Sequence, residues 1–408
     1  MTTKNNIPAG YKDSAVGVIP QEWEVKRLGT IAKCFSGGTP KSESEGMYGG
    51  TIPFIRSGEI HGDKTALYLT DDGLRKSSAK MVDVGDLIFA LYGANSGDCA
   101  ISQINGAINQ AILCIRSSSV INSFLQPYLE LQKDRFIAKY LQGGQGNLSG
   151  EIVSSYTIPV PPIAEQRKIA EILGVWDEAI EKQSRLIEKL ELRKRALMQR
   201  LLTGRTRLSG FTTPWQKFSY SEVLKEVKRK MNWDDNEEYD LISVKRRSGG
   251  LFHRESLFGR DIKTKNLRPT LKGDFLISKM QIVHGASGLV TEEFDGMKIS
   301  GSYIALIAKD DKLVDMSFIN WYSKTPYFYH QTYVSSYGVH IEKMTFDLES
   351  FMSMSIWLPD LPEQEAIAEV LTAADNEIAT HRKKLDAIRL QKRGLMQQLL
   401  TGKTRVKI

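Results

Sequence analysis

Two stretches of the chain keep their apolar residues on a single stripe. In the first, Ile169, Leu173, Trp176, Ile180, Gln183, Ile187, Leu190, Lys194, Leu197 and Leu201 follow one another in alternating steps of four and three. The second gives Ile367, Leu371, Ala374, Ile378, His381, Leu385, Ile388, Lys392, Leu395 and Leu399 in the same rhythm. That is heptad spacing, which keeps one seam of a helix facing a partner helix. Polar residues take the same two slots in both seams. Prolines 159, 161 and 162, and again 359 and 362, fit an extended lead ending at the first helical turn, while Gly204 and Gly402 fit the exits. From 165 to 202 is 38 residues (202 − 165 + 1), a helix roughly 57 Å long at about 1.5 Å per residue.

The two seams belong to a longer repeat. Residues 158–208 superpose on 356–406 without a gap by a shift of 198 (356 − 158). Both copies carry a Glu-Gln pair, Glu165-Gln166 and Glu363-Gln364, and both close on Leu-Met-Gln-x-Leu-Leu-Thr-Gly-x-Thr-Arg. A period near 200 residues is too long for a solenoid and indicates a duplicated domain-plus-helix module.

Outside the helices, short runs rich in β-branched and aromatic residues (51–55, 86–91, 111–115) lie between Gly and Ser clusters, and Asn122-Ser123 is a cap pair for a helix through Phe124, Tyr128 and Leu131. The order recurs: Gly273-Asp274 answers Gly85-Asp86, and Ser317-Phe318 answers Ser123-Phe124. The pattern predicts an α+β protein of two mixed α/β domains, each a twisted, largely antiparallel sheet plus helices, separated by two long helices that form an antiparallel coiled coil with a pseudo-twofold repeat. The expected boundaries are an extended lead-in at 1–22, a first domain at 23–157, a helical repeat at 158–208, a second domain at 209–355 and a second helical repeat at 356–408. Antiparallel pairing follows because the second domain begins within a few residues of Gly204, and it sends the two domains to opposite ends. Full overlap of the spans 165–202 and 363–400, with midpoints at 183.5 and 381.5, sets Gln183 and His381 opposite one another as a polar layer fixing register.

At 408 residues the chain accommodates two domains plus helices, and its net charge of +7 is spread along its length, which suggests a nucleic-acid surface more than a disordered basic arm and fits an ordinary mildly basic cytosolic protein equally well. The three cysteines, Cys34, Cys99 and Cys114, form no CxxC pair and read as reduced thiols of a cytoplasmic protein. With no signal peptide and no apolar run of about 18 residues, the sequence suggests neither export nor a membrane.

Catalytic signals are poor. The six histidines are scattered without an HExxH pair, so no metal site is expected, and no Asn-Pro-Pro-aromatic tetrapeptide of the aminomethyltransferases occurs. Glu226 and Lys228 beside Glu222 read as a helix-surface ion pair, and no catalytic residue is assigned. Binding signals are better. Loops mixing Gly with amide, guanidinium and aromatic side chains supply groups for base edges and phosphates. In the first domain the candidates are Lys41, Arg56, Ser57, Tyr92, Asn95, Gln110, Gln145 and Asn147. In the second they are Arg246, Arg247, Lys279, Gln281, His284, Tyr337, His340 and Lys343.

A mixed domain ending in Ile-Pro-x-Pro-Pro-x-x-Glu-Gln-x-x-Ile-Ala-x-Ile-Leu, then a long helix ending in Leu-Met-Gln-x-Leu-Leu-Thr-Gly, the whole repeated, resembles the specificity subunit of type I restriction-modification enzymes. The lead-in Gly10-Tyr11-Lys12-Asp13-Ser14 with Ile19-Pro20 is similar as well. The resemblance implies a non-catalytic reader of double-stranded DNA used in host defence. Its two target recognition domains would each bind half of a bipartite, asymmetric site, with the coiled coil setting the spacer. Implied partners are two modification (methyltransferase) subunits, which methylate adenine N6, and restriction subunits, the motor and nuclease. The chain would hold no cofactor, S-adenosylmethionine, ATP and Mg belonging to those partners. Asp360 and Gly394 depart from the first copy. Two other readings are a stand-alone DNA-modifying enzyme and a coiled-coil scaffold with no DNA role.

Overall fold

A computed structural model describes residues 7–41, 46–140 and 148–408. The chain forms two compact units, one of residues 1–184 with 383–408, the other of residues 185–382.

In the first unit, strand Glu24–Arg27 pairs antiparallel with Thr157–Val160, bringing the start of the domain to its end. Between them stand two four-stranded sheets. One runs Ala32–Ser36, Ile112–Ser117, Leu87–Ala90, Cys99–Ile101 and is wholly antiparallel. The other runs Leu67–Leu69, Tyr48–Ile55, Gly106–Ile108, Lys80–Val82, with its two central strands parallel. Helix Asn122–Tyr140 places Phe124, Leu125, Tyr128, Leu129 and Phe136 in a core with Trp23, Phe89, Leu113 and Ile115. Those strands alternate between this core and a smaller one around Ile88, Ile112 and Cys114, which is why their central residues are apolar on both faces. Cys34 is half-buried; burial pushes the Cys99 thiol well up and the Cys114 thiol to about 12.

The second unit repeats both sheet orders strand for strand. One sheet is Leu224–Glu226, Tyr303–Ala308, Phe275–Ser278, Ser287–Leu289; the other is Leu251–Phe258, Glu238–Val244, Lys298–Ser300, Leu267–Pro269, its central pair again parallel. Gln216–Ser219 closes on Ser355–Leu358 as in the first domain. In place of helix Asn122–Tyr140 of the first domain there are here two, Met316–Tyr322 and Pro326–Val334, broken where Thr325 caps a helix beginning at proline. Glu226 lies on a strand, so its 2.9 Å pair with Lys228 is not the helix-surface pair expected from the sequence; Glu222 instead completes a capping box with Ser219.

The repeated Gly-Asp turns have one job in both units. Asp86 accepts from the Asp83 N–H at 2.8 Å and from Arg116 on the adjacent strand at 2.9 Å; Asp274 accepts from the Leu271 N–H at 2.9 Å and is gripped at both oxygens by Arg229. Burial pushes the Asp86 carboxyl up, but Arg116 and the Asp83 N–H outweigh it and leave it below the usual carboxylate range.

The long helices are Ile163–Leu201 and Leu361–Leu399, 39 residues each. Within each unit they run antiparallel. In the first, Glu165 meets Arg405 and Asp177 meets Lys392; in the second, Glu191 meets Arg382, Lys194 meets Asp375 and Arg207 meets Glu363. Index rises on one helix as it falls on the other. The polar seam slots at Lys194 and Lys392 are therefore ion pairs, each 2.5 Å long, rather than interruptions. Gln183 is buried, at 7 % exposure, and His381 half-buried. Asp360, which replaces a proline of the first copy, accepts from the Glu363 N–H at 3.3 Å at the helix start.

The repeated Glu-Gln pair locks each helix to its domain. Glu165, fully buried, accepts from the Trp23 indole at 2.9 Å and from two nitrogens of Arg405 at 2.6 and 3.0 Å. Glu363 does the same with Trp215 at 3.2 Å and Arg207 at 2.6 and 2.5 Å. Gln166 accepts from the Ile121 N–H and donates to Pro161 and Ser119 carbonyls, as Gln364 does with Asp315, Pro359 and Leu313. The arginine comes in each case from the tail of the other copy. Among the described residues no helix is long and apolar enough to cross a membrane, and no cluster of His, Cys, Asp and Glu is placed to hold a metal.

Candidate nucleic-acid interface

The parallel strands Tyr48–Ile55 and Gly106–Ile108 of the first domain finish together, and the loops leaving them meet loops from the other sheet. The Gly38 N–H donates to the Ile108 carbonyl, the Asn109 N–H to Ile55 and the Leu91 N–H to Ala111. Asn95 Nδ2 donates to the Ser57 carbonyl at 3.2 Å, and the Gln110 side chain accepts from the Thr39 hydroxyl. Tyr92 is half-buried; burial pushes its phenol up, a hydrogen bond with Gln110 opposing the shift. The predicted residues thus make two hydrogen-bonded pairs, Asn95 with Ser57 and Tyr92 with Gln110, and the loop that carries both Tyr92 and Asn95 is common to the two.

Arg56 is less free than its sequence suggests. Its Nε and one terminal nitrogen bind the two oxygens of Glu59 at 3.1 and 3.0 Å, leaving the other N–H groups for a ligand. Lys41 is exposed. Gln145 and Asn147 lie outside the described residues.

In the second domain the cluster is tighter. Arg247 and Ser248 both have left-handed backbones, φ 59° and 53°, which side chains disfavour by about 1 kcal/mol or more each. Their N–H groups donate to the His284 and Gly285 carbonyls at 2.6 and 2.9 Å, and Ser248 Oγ meets the Tyr329 hydroxyl at 2.8 Å. Gly285, at φ 71°, is obligatory, since a Cβ there would sit 1.8 Å from that hydroxyl. The strained turn is held by a surrounding network and presents exposed Arg246 and Arg247 outward.

The strands Ser336–Tyr337 and Thr345–Phe346 form a hairpin beside it, anchored where the Phe346 N–H donates to the Lys279 carbonyl. Glu342 pairs with Arg246 at 2.9 Å and lies 3.2 Å from His284 Nε2. The His284 contact lacks hydrogen-bond geometry, and Gln281 Oε1 is likewise buried without a donor. Such orphan amide and imidazole atoms suit a ligand better than a finished interior. Tyr337 is 66 % and Val339 95 % exposed at the hairpin, with His340 and Lys343 also exposed. Sequence patterns do not point to Glu59 and Glu342, which restrain the arginines, or to Tyr329 and Ser248, which hold the turn; the Arg-Ser-Gly-Gly run is the only signal for the last.

Two copies of one scaffold, alike in sheet order and unlike in the loops at the sheet ends, define a duplicated recognition protein. The profile of the type I restriction modification DNA specificity domain matches residues 20–192 and again 213–390, and the chain belongs to that family. It is a DNA specificity subunit of a type I restriction-modification system. It is 23 % identical to the type I restriction enzyme MjaVIII specificity subunit of Methanocaldococcus jannaschii, covering 95 % of this chain and 94 % of that one. It is 26 % identical to the EcoR124I/EcoR124II specificity subunit of Escherichia coli over 41 % of this chain and 44 % of that one. Among solved structures, the S subunit from M. genitalium has a TM-score of 0.58 at 13 % identity, covering 98 % of each chain. A chain from a study of complex assembly and conformational transition of the type I R-M system has a TM-score of 0.61 at 17 % identity, covering 95 % of this chain and 99 % of that one. These structural likenesses concern the fold.

Proposed function

We propose that each domain reads one half of a bipartite, asymmetric duplex site, through Ser57, Tyr92, Asn95, Gln110 and the free edge of Arg56 in the first and through the 246–248 turn, Lys279, Gln281, His284 and the 337–343 hairpin in the second. The observation that carries the reading is the repeated scaffold with two dissimilar loop sets. A shared scaffold holds the loops, and the loops differ because their targets differ. Arginine and amide groups supply bidentate contacts to guanine and adenine edges, while lysines and backbone N–H groups hold phosphates. The chain is non-catalytic in this reading. Two modification subunits bring S-adenosylmethionine and methylate adenine N6, restriction subunits bring ATP, Mg, translocation and cleavage, and the long helices set the spacer and carry the modification subunits. Methylome sequencing of cells expressing this chain with its modification subunit tests it. A two-part motif with a fixed spacer is expected; one continuous motif would contradict the bipartite assignment.

A further inference from the structure

We propose that the second unit carries a docking groove for an extended segment of a partner protein built like this chain's own lead-in: an isoleucine or valine followed by proline, with a carboxylate close behind. The first unit shows what such a groove holds. There Ile19 is 1 % exposed in a core with Trp23, Tyr128, Met396, Leu399 and Leu400. Pro20 lies so close to Gly402 that a Cβ on the glycine would stand 2.4 Å from its Cδ. Glu22 pairs with Arg405 at 2.7 Å, and the Tyr11 hydroxyl donates to the Lys403 carbonyl at 3.4 Å.

The internal repeat maps that seat onto the second unit. Trp23 becomes Trp215 (215 − 23 = 192), Tyr128 becomes Tyr322 (322 − 128 = 194), and Pro159, Thr401 and Gly402 become Trp357, Thr203 and Gly204 by the shift of 198. All five line one groove of about 1090 Å³. What the second copy lacks is the occupant. Residues 208–214 are all that separate Arg207 from Trp215; they include Thr213-Pro214 directly against the tryptophan, but no aliphatic β-branched residue before a proline and no carboxylate. The three atoms nearest a Cβ on Gly204 accordingly all belong to the Trp215 ring, the first at 3.4 Å, where two of the three nearest one on Gly402 belong to Pro20.

Charge distinguishes a protein segment from a merely greasy one. Arg405 holds two carboxylates, Glu165 and Glu22, whereas its counterpart Arg207 holds Glu363 and, in place of the second, the Thr213 carbonyl at 2.8 Å. Arg195, Arg205 and Lys324 also line the groove, and among the described residues no acidic side chain does. A carboxylate next to the Ile-Pro element completes the site.

The probe is a fluorescein-labelled peptide with the sequence of residues 8–22, titrated into the full chain and followed by anisotropy. Saturable binding is expected, weakened about tenfold or more by Trp357→Ala in the chain and by Ile19→Ser with Pro20→Gly in the peptide, the scale of losing one buried anchor. Trp357 is 50 % exposed, and an unchanged melting temperature confirms that the variant folds. No saturable binding, equal binding of both peptides, or indifference to Trp357→Ala would overturn the proposal. Two further results would reassign the groove and so also overturn it: competition by duplex DNA, and self-association of the chain abolished by Trp357→Ala, which would make a second copy the occupant.

Discussion

Arg405→Ala should cost more stability than Glu165→Gln, although both break the same pair. Losing the arginine strands a carboxylate with no solvent exposure, a penalty of about 3 kcal/mol. In Glu165→Gln the new amide oxygen would still accept from Trp23 and leave Arg405, 36 % exposed, to be hydrated, at about 1 kcal/mol. Urea unfolding of the two variants checks the order; equal losses would mean that the pair acts only by packing. Gly394→Ala should stabilise by about 1 kcal/mol, because the position is exposed within the second long helix and an added methyl meets nothing within 4 Å. A rise in melting temperature with the methylation motif unchanged is the expected result. At this scale the sequence is half legible. The repetition of Glu165-Gln166 announces a constraint, but its partner Arg405 lies 240 residues away and no local pattern names it. The same blindness makes Arg56 look free: the Glu59 that binds it is three residues off, and only the turn at Ser57–Glu59 brings the two together.

The long helices are the most legible elements, since a heptad pattern is local and each residue declares its face. Their polar seam slots are not, because Lys194 and Lys392 find aspartates on the opposite helix, Asp375 and Asp177, outside the seam pattern itself. Strand Leu224–Glu226 looks like helix surface for a similar reason: three residues are too few to show a period, and pairing with Tyr303–Ala308 decides them. If the helices act as a ruler, deleting one heptad from each shortens it by about 10 Å, or roughly three base pairs of duplex. The methylated motif should then keep both half-sites and lose about that much spacer. An unchanged spacer would show that something other than helix length sets it.

For the whole molecule, duplication is the governing fact. The sheet orders repeat strand for strand while the connecting loops diverge, so the scaffold is readable from matching Gly-Asp turns and helix caps, and the interface is readable only as a set of loops. Which loop residues meet depends on where strands end, as the convergence of Ile55 and Ile108 shows, and sequence spacing carries no trace of it. In the proposed function each domain reads its own half-site independently. The most direct measurement exchanges residues 23–157 for the matching region of a related specificity subunit and sequences the methylome of cells carrying the hybrid with its modification subunit. One half of the motif should change to that of the donor while the other half and the spacer stay as they were; a hybrid that alters both halves together would contradict the account.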